Sequence, residues 1–146
     1  MSGKGINPAS ARRAVARKLA MQALYRWQIN AAPWQDVVNE FATDEDMRKA
    51  DRGYFNQMVT DICTHSEDLN TAMAAWMDRK PAELDPVERA VLWVGVHELR
   101  SALDVPYRVA INEAVGLAKR FGATDSHKFV NAVLDAAARE LRPHEH

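Results

Sequence analysis

The sequence predicts an all-α protein of about seven helices, and three observations carry that expectation. Apolar residues recur at three- and four-residue spacing along most of the chain. No stretch shows the strict apolar/polar alternation of a half-buried strand. The middle of the chain holds a complete helix start, Asp85-Pro86-Val87-Glu88, followed by an uninterrupted apolar run. Asp85 can accept from the free N–H groups of a first turn, Pro86 sits at N1 where no donor is missed, and Glu88 at N3 can reach back to complete a capping box. From Ala90 to Val96 this helix is apolar at almost every angle. It is far too short to span a bilayer, so the stretch from Leu84 to Leu99 belongs at the centre of a soluble helical domain. Gly95 would let a neighbouring helix approach its backbone closely.

The other elements follow in order. Residues 1–10 hold two glycines and a proline and read as a flexible N-terminal arm, with a single helical domain over 11–143. A first helix is expected from about Ala11 to Asn30, with Val15, Leu19, Ala23 and Trp27 as its buried stripe and Arg13, Arg17, Lys18, Met21, Tyr25 and Gln28 on the remaining faces. Pro33 opens a short amphipathic helix with Trp34, Val37, Val38 and Phe41 inward. An acidic loop follows with Asp44, Glu45, Asp46 and Asp51. Tyr54, Phe55, Met58, Val59, Ile62, Leu69, Met73 and Trp76 then keep helical spacing, and the polar cluster Thr64–Asp68 breaks that run into two helices. After the central helix and a turn at Leu103–Pro106, the spacing predicts a helix over about Arg108–Phe121 with Gly122 as its C′ stop. Ala123-Thr124-Asp125-Ser126 offers several N-caps for a last helix to about Leu141, whose stripe is Val130, Val133, Leu134, Ala137 and Leu141. Phe129 falls outside that stripe, beside Lys128.

Composition bounds the function. The 146 residues carry one cysteine, Cys63, so no intramolecular disulfide forms and a reducing, cytoplasmic compartment fits. There is no signal-peptide core and no long apolar run, so no membrane segment is expected. Net charge is only −1, which taken alone argues against nucleic acid, but its distribution points the other way. Residues 1–35 contain Lys4, Arg12, Arg13, Arg17, Lys18 and Arg26 and no acid, leaving 13 basic against 20 acidic side chains in the rest. Such asymmetry marks an anion-binding end. An acid-free basic helix with Tyr25 beside the charges suits phosphate contact with base stacking, although a plain solvated face has the same pattern. Phe129 beside Lys128 at a helix start suits a base-stacking platform, and a lone exposed aromatic is equally ordinary.

Catalytic and metal chemistry have no foothold. No Gly-rich phosphate loop, CxxC pair, HExxH or nucleophile elbow is present, and no cofactor or metal is expected. Cys63 beside Ile62 reads as a buried structural thiol. His65 and His97 have no ligand-spaced partners, and His144 and His146 lie in a terminal tail. Glu98 and Glu113 serve as acid and base only if the fold brings them together. An enzyme is the weaker class.

By the C-terminal half the chain resembles a known family. Asp104-Val105-Pro106-Tyr107-Arg108-Val109-Ala110-Ile111-Asn112-Glu113-Ala114-Val115, then Ala118-Lys119-Arg120-Phe121-Gly122, and Asp125-Ser126-His127-Lys128-Phe129-Val130-Asn131-Ala132-Val133-Leu134-Asp135 resemble the signature of NusB, the bacterial transcription antitermination factor. Arg12–Trp27 is similar to the family's first helix and Leu84–Leu99 to its central one. The resemblance implies two small helical bundles packed together. It implies binding of the boxA element of nascent ribosomal RNA, jointly with the ribosomal protein NusE, in a complex that joins RNA polymerase and suppresses termination. It places RNA contacts at Arg12, Arg13, Arg17, Lys18 and Tyr25, at Asp125, Lys128 and Phe129, and at the aromatic Trp76, with the NusE surface around Glu88. Family members include monomers and homodimers.

For Asp125 the residues leave two roles open, a base contact or a helix cap. Two other readings remain. A NusB-like accessory domain of a ribosomal RNA cytosine methyltransferase would be expected to continue beyond His146, and a pure protein-interaction bundle would need neither the basic helix nor Phe129.

Overall fold

The computed structural model describes residues 7–145, which fold into seven α-helices and three short 3-10 turns with no strand among them. By its contacts the chain divides into two compact units, Met1–Asp61 and Ile62–His146.

The first unit holds α1 (Pro8–Ile29), α2 (Trp34–Phe41), a 3-10 turn (Glu45–Lys49) and most of α3 (Arg52–Thr64). Helix α1 starts three residues before the expected Ala11. Pro8 occupies N1 and the Asn7 side chain accepts from Ala9 N–H at 2.8 Å, so part of the expected 1–10 arm is helix, while residues 1–6 lie outside the described ones. The buried face of α1 also differs from the expected stripe. It comprises Ala16, Arg17, Leu19, Ala20, Met21, Ala23 and Leu24, while Val15 and Trp27 are only half-buried. Steps of four residues advance about 40° beyond a full turn, so the line from Val15 to Trp27 drifts by about 120° and leaves the face it began on. The true face follows mixed steps of three and four, and it is broad because both α2 and the 3-10 turn pack on α1. Asp44 caps that turn, accepting from Asp46 N–H at 2.8 Å, which gives structure to what reads as an acidic loop. Phe41 of α2 stacks on Phe55 of α3 with ring centroids 6.3 Å apart.

The second unit continues with α4 (Ser66–Ala74), a 3-10 turn (Pro81–Glu83), α5 (Pro86–Ser101), α6 (Tyr107–Phe121), α7 (Ser126–Leu141) and a last 3-10 turn (Pro143–Glu145). The break between α3 and α4 falls at His65, inside the polar cluster that predicts it. Helix α5 is the centre of the unit, packed by α4, α6 and α7. Every residue from Ala90 to Leu99 is buried: Ala90–Val96 as the all-round apolar pattern requires, and with them the polar His97 and Glu98. Gly95 is the point of closest approach: a Cβ there would lie 2.7 Å from Leu134 Cδ1 of α7 and 3.4 Å from Ala114 Cβ of α6.

The ends of α5 are held by charge. At the start, Asp85 accepts from Glu88 N–H at 2.8 Å, while Arg89 donates to the carbonyls of Pro81, Ala82 and Leu84 and fixes the preceding 3-10 turn. The expected return bond of a capping box is replaced, because the Glu88 carboxylate turns to Ser126 instead. At the other end Arg142 is buried and donates to the carbonyls of Glu98, Leu99, Ala102 and Val105, occupying acceptors that a helix C-terminus leaves open. Glu145 pairs with Arg142 and accepts from Tyr107 N–H at 3.1 Å, so the final turn joins the end of α5 to the start of α6. Gly122 ends α6 as expected but by a different route. Its backbone is extended, not left-handed, and its need for glycine is steric, since a Cβ would meet the Ala118 carbonyl oxygen at 2.7 Å.

Candidate nucleic-acid interface

The candidate residues fall into two groups, one in each unit. In the first, the basic residues of α1 are engaged by the turn and helix that follow. Arg12 donates to the carbonyls of Ala50 at 2.7 Å and Arg48 at 3.4 Å, and its own carbonyl accepts from Asp51 N–H at 3.0 Å. These acceptors are neutral, so Arg12 keeps its full positive charge at the surface. The Arg13 guanidinium lies 4.4 Å above the Tyr54 ring. Lys18 forms a 2.6 Å ion pair with Asp46 and is largely covered. Arg17 is 4% exposed with its guanidinium 5.7 Å from the Tyr54 ring, which corrects its expected place on an outer face. Tyr25, 40% exposed, stands two turns beyond Lys18. Of the five α1 candidates, Arg12 and Tyr25 are exposed, Arg13 is half-buried against Tyr54, and Arg17 and Lys18 are engaged within the unit.

In the second unit the start of α7 gathers Asp125, Lys128 and Phe129 with the start of α5. Asp125 is the N-cap residue with φ 68°, the one left-handed non-glycine position among the described residues. A left-handed aspartate costs on the order of 1 kcal/mol, which neighbouring packing has to impose. Its carboxylate makes no cap bond to the helix and pairs instead with Lys128 at 3.3 Å, leaving it at the surface. Of the two roles open to it from the sequence, side-chain capping is therefore not the one adopted. The N–H groups of Ser126 and Lys128 are already bonded to the carbonyls of Ala123 and Asp125, so this helix start offers a phosphate fewer free donors than an open helix N-terminus would.

Phe129 is half-buried, and the Arg79 guanidinium lies 3.8 Å from its ring centroid. Arg79 also sits 3.6 Å from Glu88 Oε1, while Glu88 Oε2 accepts from Ser126 Oγ at 2.8 Å. Glu88 is 6% exposed, so it braces Arg79 and α7 from inside and does not itself form the surface around it. Trp76 is not brought to this cluster. Its indole N–H donates to Glu140 in the last turn of α7, about 16 Å along the helix from Phe129 at 1.5 Å per residue.

Sequence reasoning missed Arg79 and Ser126. Arg79 carries no local signal, since only the fold sets it over a ring far along the chain. Ser126 was visible as one of several possible caps, and its actual partner, Glu88, lies on another helix. The expected burial of Cys63 has a chemical consequence. Cys63 is buried, which pushes its thiol up to about 12, so no thiolate forms near neutral pH. No helix among the described residues is long and apolar enough to cross a membrane.

Comparison with known proteins gives a consistent picture. Residues 14–139 match the NusB family. The chain is 47% identical over 138 residues to the transcription antitermination protein NusB of Idiomarina loihiensis, covering 94% of this chain and 98% of that one. It is 45% identical to the protein of the same name from Hahella chejuensis, covering 96% of this chain and 94% of that one. Among solved structures it is similar to T. maritima NusB, with a TM-score of 0.80, 25% identity and coverage of 91% of this chain and 94% of that one. It is similar too to NusB in a crystal structure of antitermination factors NusB and NusE in complex with dsRNA, with a TM-score of 0.70, 26% identity and coverage of 87% and 96%.

Proposed function

The chain belongs to the NusB family of transcription antitermination proteins, and from that premise we propose that it binds the boxA element of nascent ribosomal RNA together with the ribosomal protein NusE, within the complex that lets RNA polymerase read through terminators. Its role is that of a cytoplasmic binding factor and not an enzyme.

The observation that carries the reading is the cluster at the start of α7, where an aromatic ring, a guanidinium stacked on it and a surface carboxylate on strained backbone lie together. Unpaired RNA bases are recognised by stacking on aromatic and arginine planes and by hydrogen bonds to their edges. Phe129 and Arg79 supply the plane, Asp125 can accept from a base amino group, and Lys128 can meet a phosphate. In the first unit Arg12 and Arg13 meet phosphates and Tyr25 offers a second ring, while Arg17 and Lys18 position them. Trp76 offers a further ring at the other end of α7. Glu88 acts through Arg79 and Ser126 on the surface that NusE and RNA share.

The test is binding of boxA RNA and a shuffled RNA of equal length, with and without NusE, over a range of salt. Preference for boxA, strengthened by NusE and weakened by salt, is the expected result. Equal affinity for both RNAs in the presence of NusE would favour a protein-interaction bundle and overturn the reading.

A further inference from the structure

The segment that reads as an acidic loop carries its own cations, and the fold sets them against the basic start of α1. The Arg12 guanidinium is bonded to the carbonyls of Arg48 and Ala50, so it joins the segment that carries the exposed Arg48 and Lys49, and Arg52 follows at the first turn of α3. Of the acids in this segment, Asp46 pairs with Lys18, while Asp44 and Asp51 cap the turn and α3 by accepting from the N–H groups of Asp46 at 2.8 Å and Tyr54 at 3.0 Å and keep their charge. Glu45 reaches Arg48 at 3.8 Å, with both side chains largely exposed, a pair that solvent screens strongly. Arg52 makes one long contact, 3.5 Å to the Ala42 carbonyl, and Lys49 is exposed. A cation at the first turn of a helix opposes the helix dipole, so Arg52 gains nothing for the fold by standing there.

We propose that Arg48, Lys49 and Arg52 extend the phosphate-binding surface of Arg12 and Arg13 and hold the RNA backbone that flanks the recognised element. The inference rests on the reading that α1 contacts RNA. Flexible cations reading only phosphates add affinity without sequence preference, which suits a flank and not the element itself. The α1 start and the segment Arg48–Asp51 are fixed to each other by two bonds from the Arg12 guanidinium to main-chain carbonyls and one main-chain bond from Asp51 N–H to the Arg12 carbonyl, so the two sets of cations form one track of constant geometry.

The test compares the full chain with an Arg48→Gln/Lys49→Gln/Arg52→Gln variant, using boxA RNA alone and boxA RNA lengthened by about eight nucleotides at one end or the other, within the span of single-strand sites. Wild type should bind one of the lengthened RNAs more tightly, with a salt dependence steeper by about 2 in log–log slope, as three phosphate contacts at about 0.7 each require. The triple variant should lose that gain and keep wild-type affinity for boxA alone. A circular dichroism melt checks that it folds, and the three single variants, each expected to lose about a third of the added slope, carry the test if it does not. Length-independent binding by wild type, or an undiminished gain in the variants, would overturn the inference. Failure of wild type to bind boxA at all would instead overturn the reading beneath it.

Discussion

The Arg79 guanidinium lies 3.8 Å from the centroid of the Phe129 ring, so one face of the aromatic at the start of α7 is already covered by a cation. On the proposed function a base would meet the two side chains as one platform. Phe129→Ala should lower RNA affinity by roughly 1–3 kcal/mol with an unchanged salt slope, since no charge is lost. Because the ring is only half-buried, stability should fall by less than about 1 kcal/mol, the scale of an exposed cation–π contact. Arg79→Ala should cost RNA affinity too, Arg79→Lys should not restore it because the planar face is missing, and the double variant should lose less than the sum. Melting and RNA titration on the same samples decide the matter. A Phe129→Ala protein that melts early yet binds normally when folded would sink the platform.

Arg142 makes a separate prediction about stability. It is buried and donates to four carbonyls at the end of α5 and in the turn beyond it. Arg142→Ala removes every one of those donors at once and leaves buried acceptors unpaired, at on the order of 1–3 kcal/mol for each group left unsatisfied. The contributions do not add fully, and a loss of about 3 kcal/mol or more in urea unfolding is expected. Removing residues 142–146 should do at least as much, because it also frees the Tyr107 N–H that Glu145 accepts from. A loss below about 1 kcal/mol would show that water replaces the guanidinium at no cost.

The fold is legible where its cause is local. Asp85-Pro86 announces α5 because a cap and an N1 proline act within one turn, and the run Ala90–Val96 shows its burial directly. The face of α1 is not legible in the same way, because a strict four-residue repeat drifts around a helix, and because Arg17 and Met21 are covered by neighbours that composition does not reveal. The candidate site is legible as residue types: Phe129 and Asp125 stand together at the start of α7, as their spacing predicts. Its bracing is not. Arg79, Ser126 and Glu88 meet from three segments, which leaves no trace in a charge pattern.

Charge on α1 divides by burial into two kinds of variant. Arg12→Gln and Arg13→Gln should flatten the salt dependence of RNA binding by about 0.7 each. Each should also cost roughly 0.5–1 kcal/mol of stability, because their contacts to carbonyls and to Tyr54 are near the surface. Arg17→Ala should act the other way round. At 4% exposure its stem and head are packed inside, so about 2 kcal/mol of stability should be lost with little change of slope in the folded protein. If Arg17→Ala flattened the slope as strongly as Arg13→Gln without lowering the melting temperature, the burial of Arg17 would be the wrong guide to its role.

Two glycines in helices should respond oppositely to the same substitution. Gly116 of α6 is exposed, and a Cβ there meets nothing within 4 Å. Gly116→Ala should therefore gain about 0.5–1 kcal/mol, through better helix propensity and a less flexible unfolded chain. Gly95 lies against α7, where a Cβ would stand 2.7 Å from Leu134 Cδ1 and 2.9 Å from Cδ2. Leu134 is fully buried and has nowhere to swing, so overpacking of roughly 1–3 kcal/mol should outweigh the propensity gain and leave Gly95→Ala less stable than wild type. The cause can be isolated by repeating the change beside Leu134→Ala. That background alone should cost about 2–5 kcal/mol as a cavity, but within it Gly95→Ala should turn neutral or stabilising because the obstructing atoms are gone. Denaturant unfolding of the four proteins measures the coupling. A Gly95→Ala penalty that persisted unchanged without the leucine would place the strain in the approach of α6 through Ala114, not in that of α7.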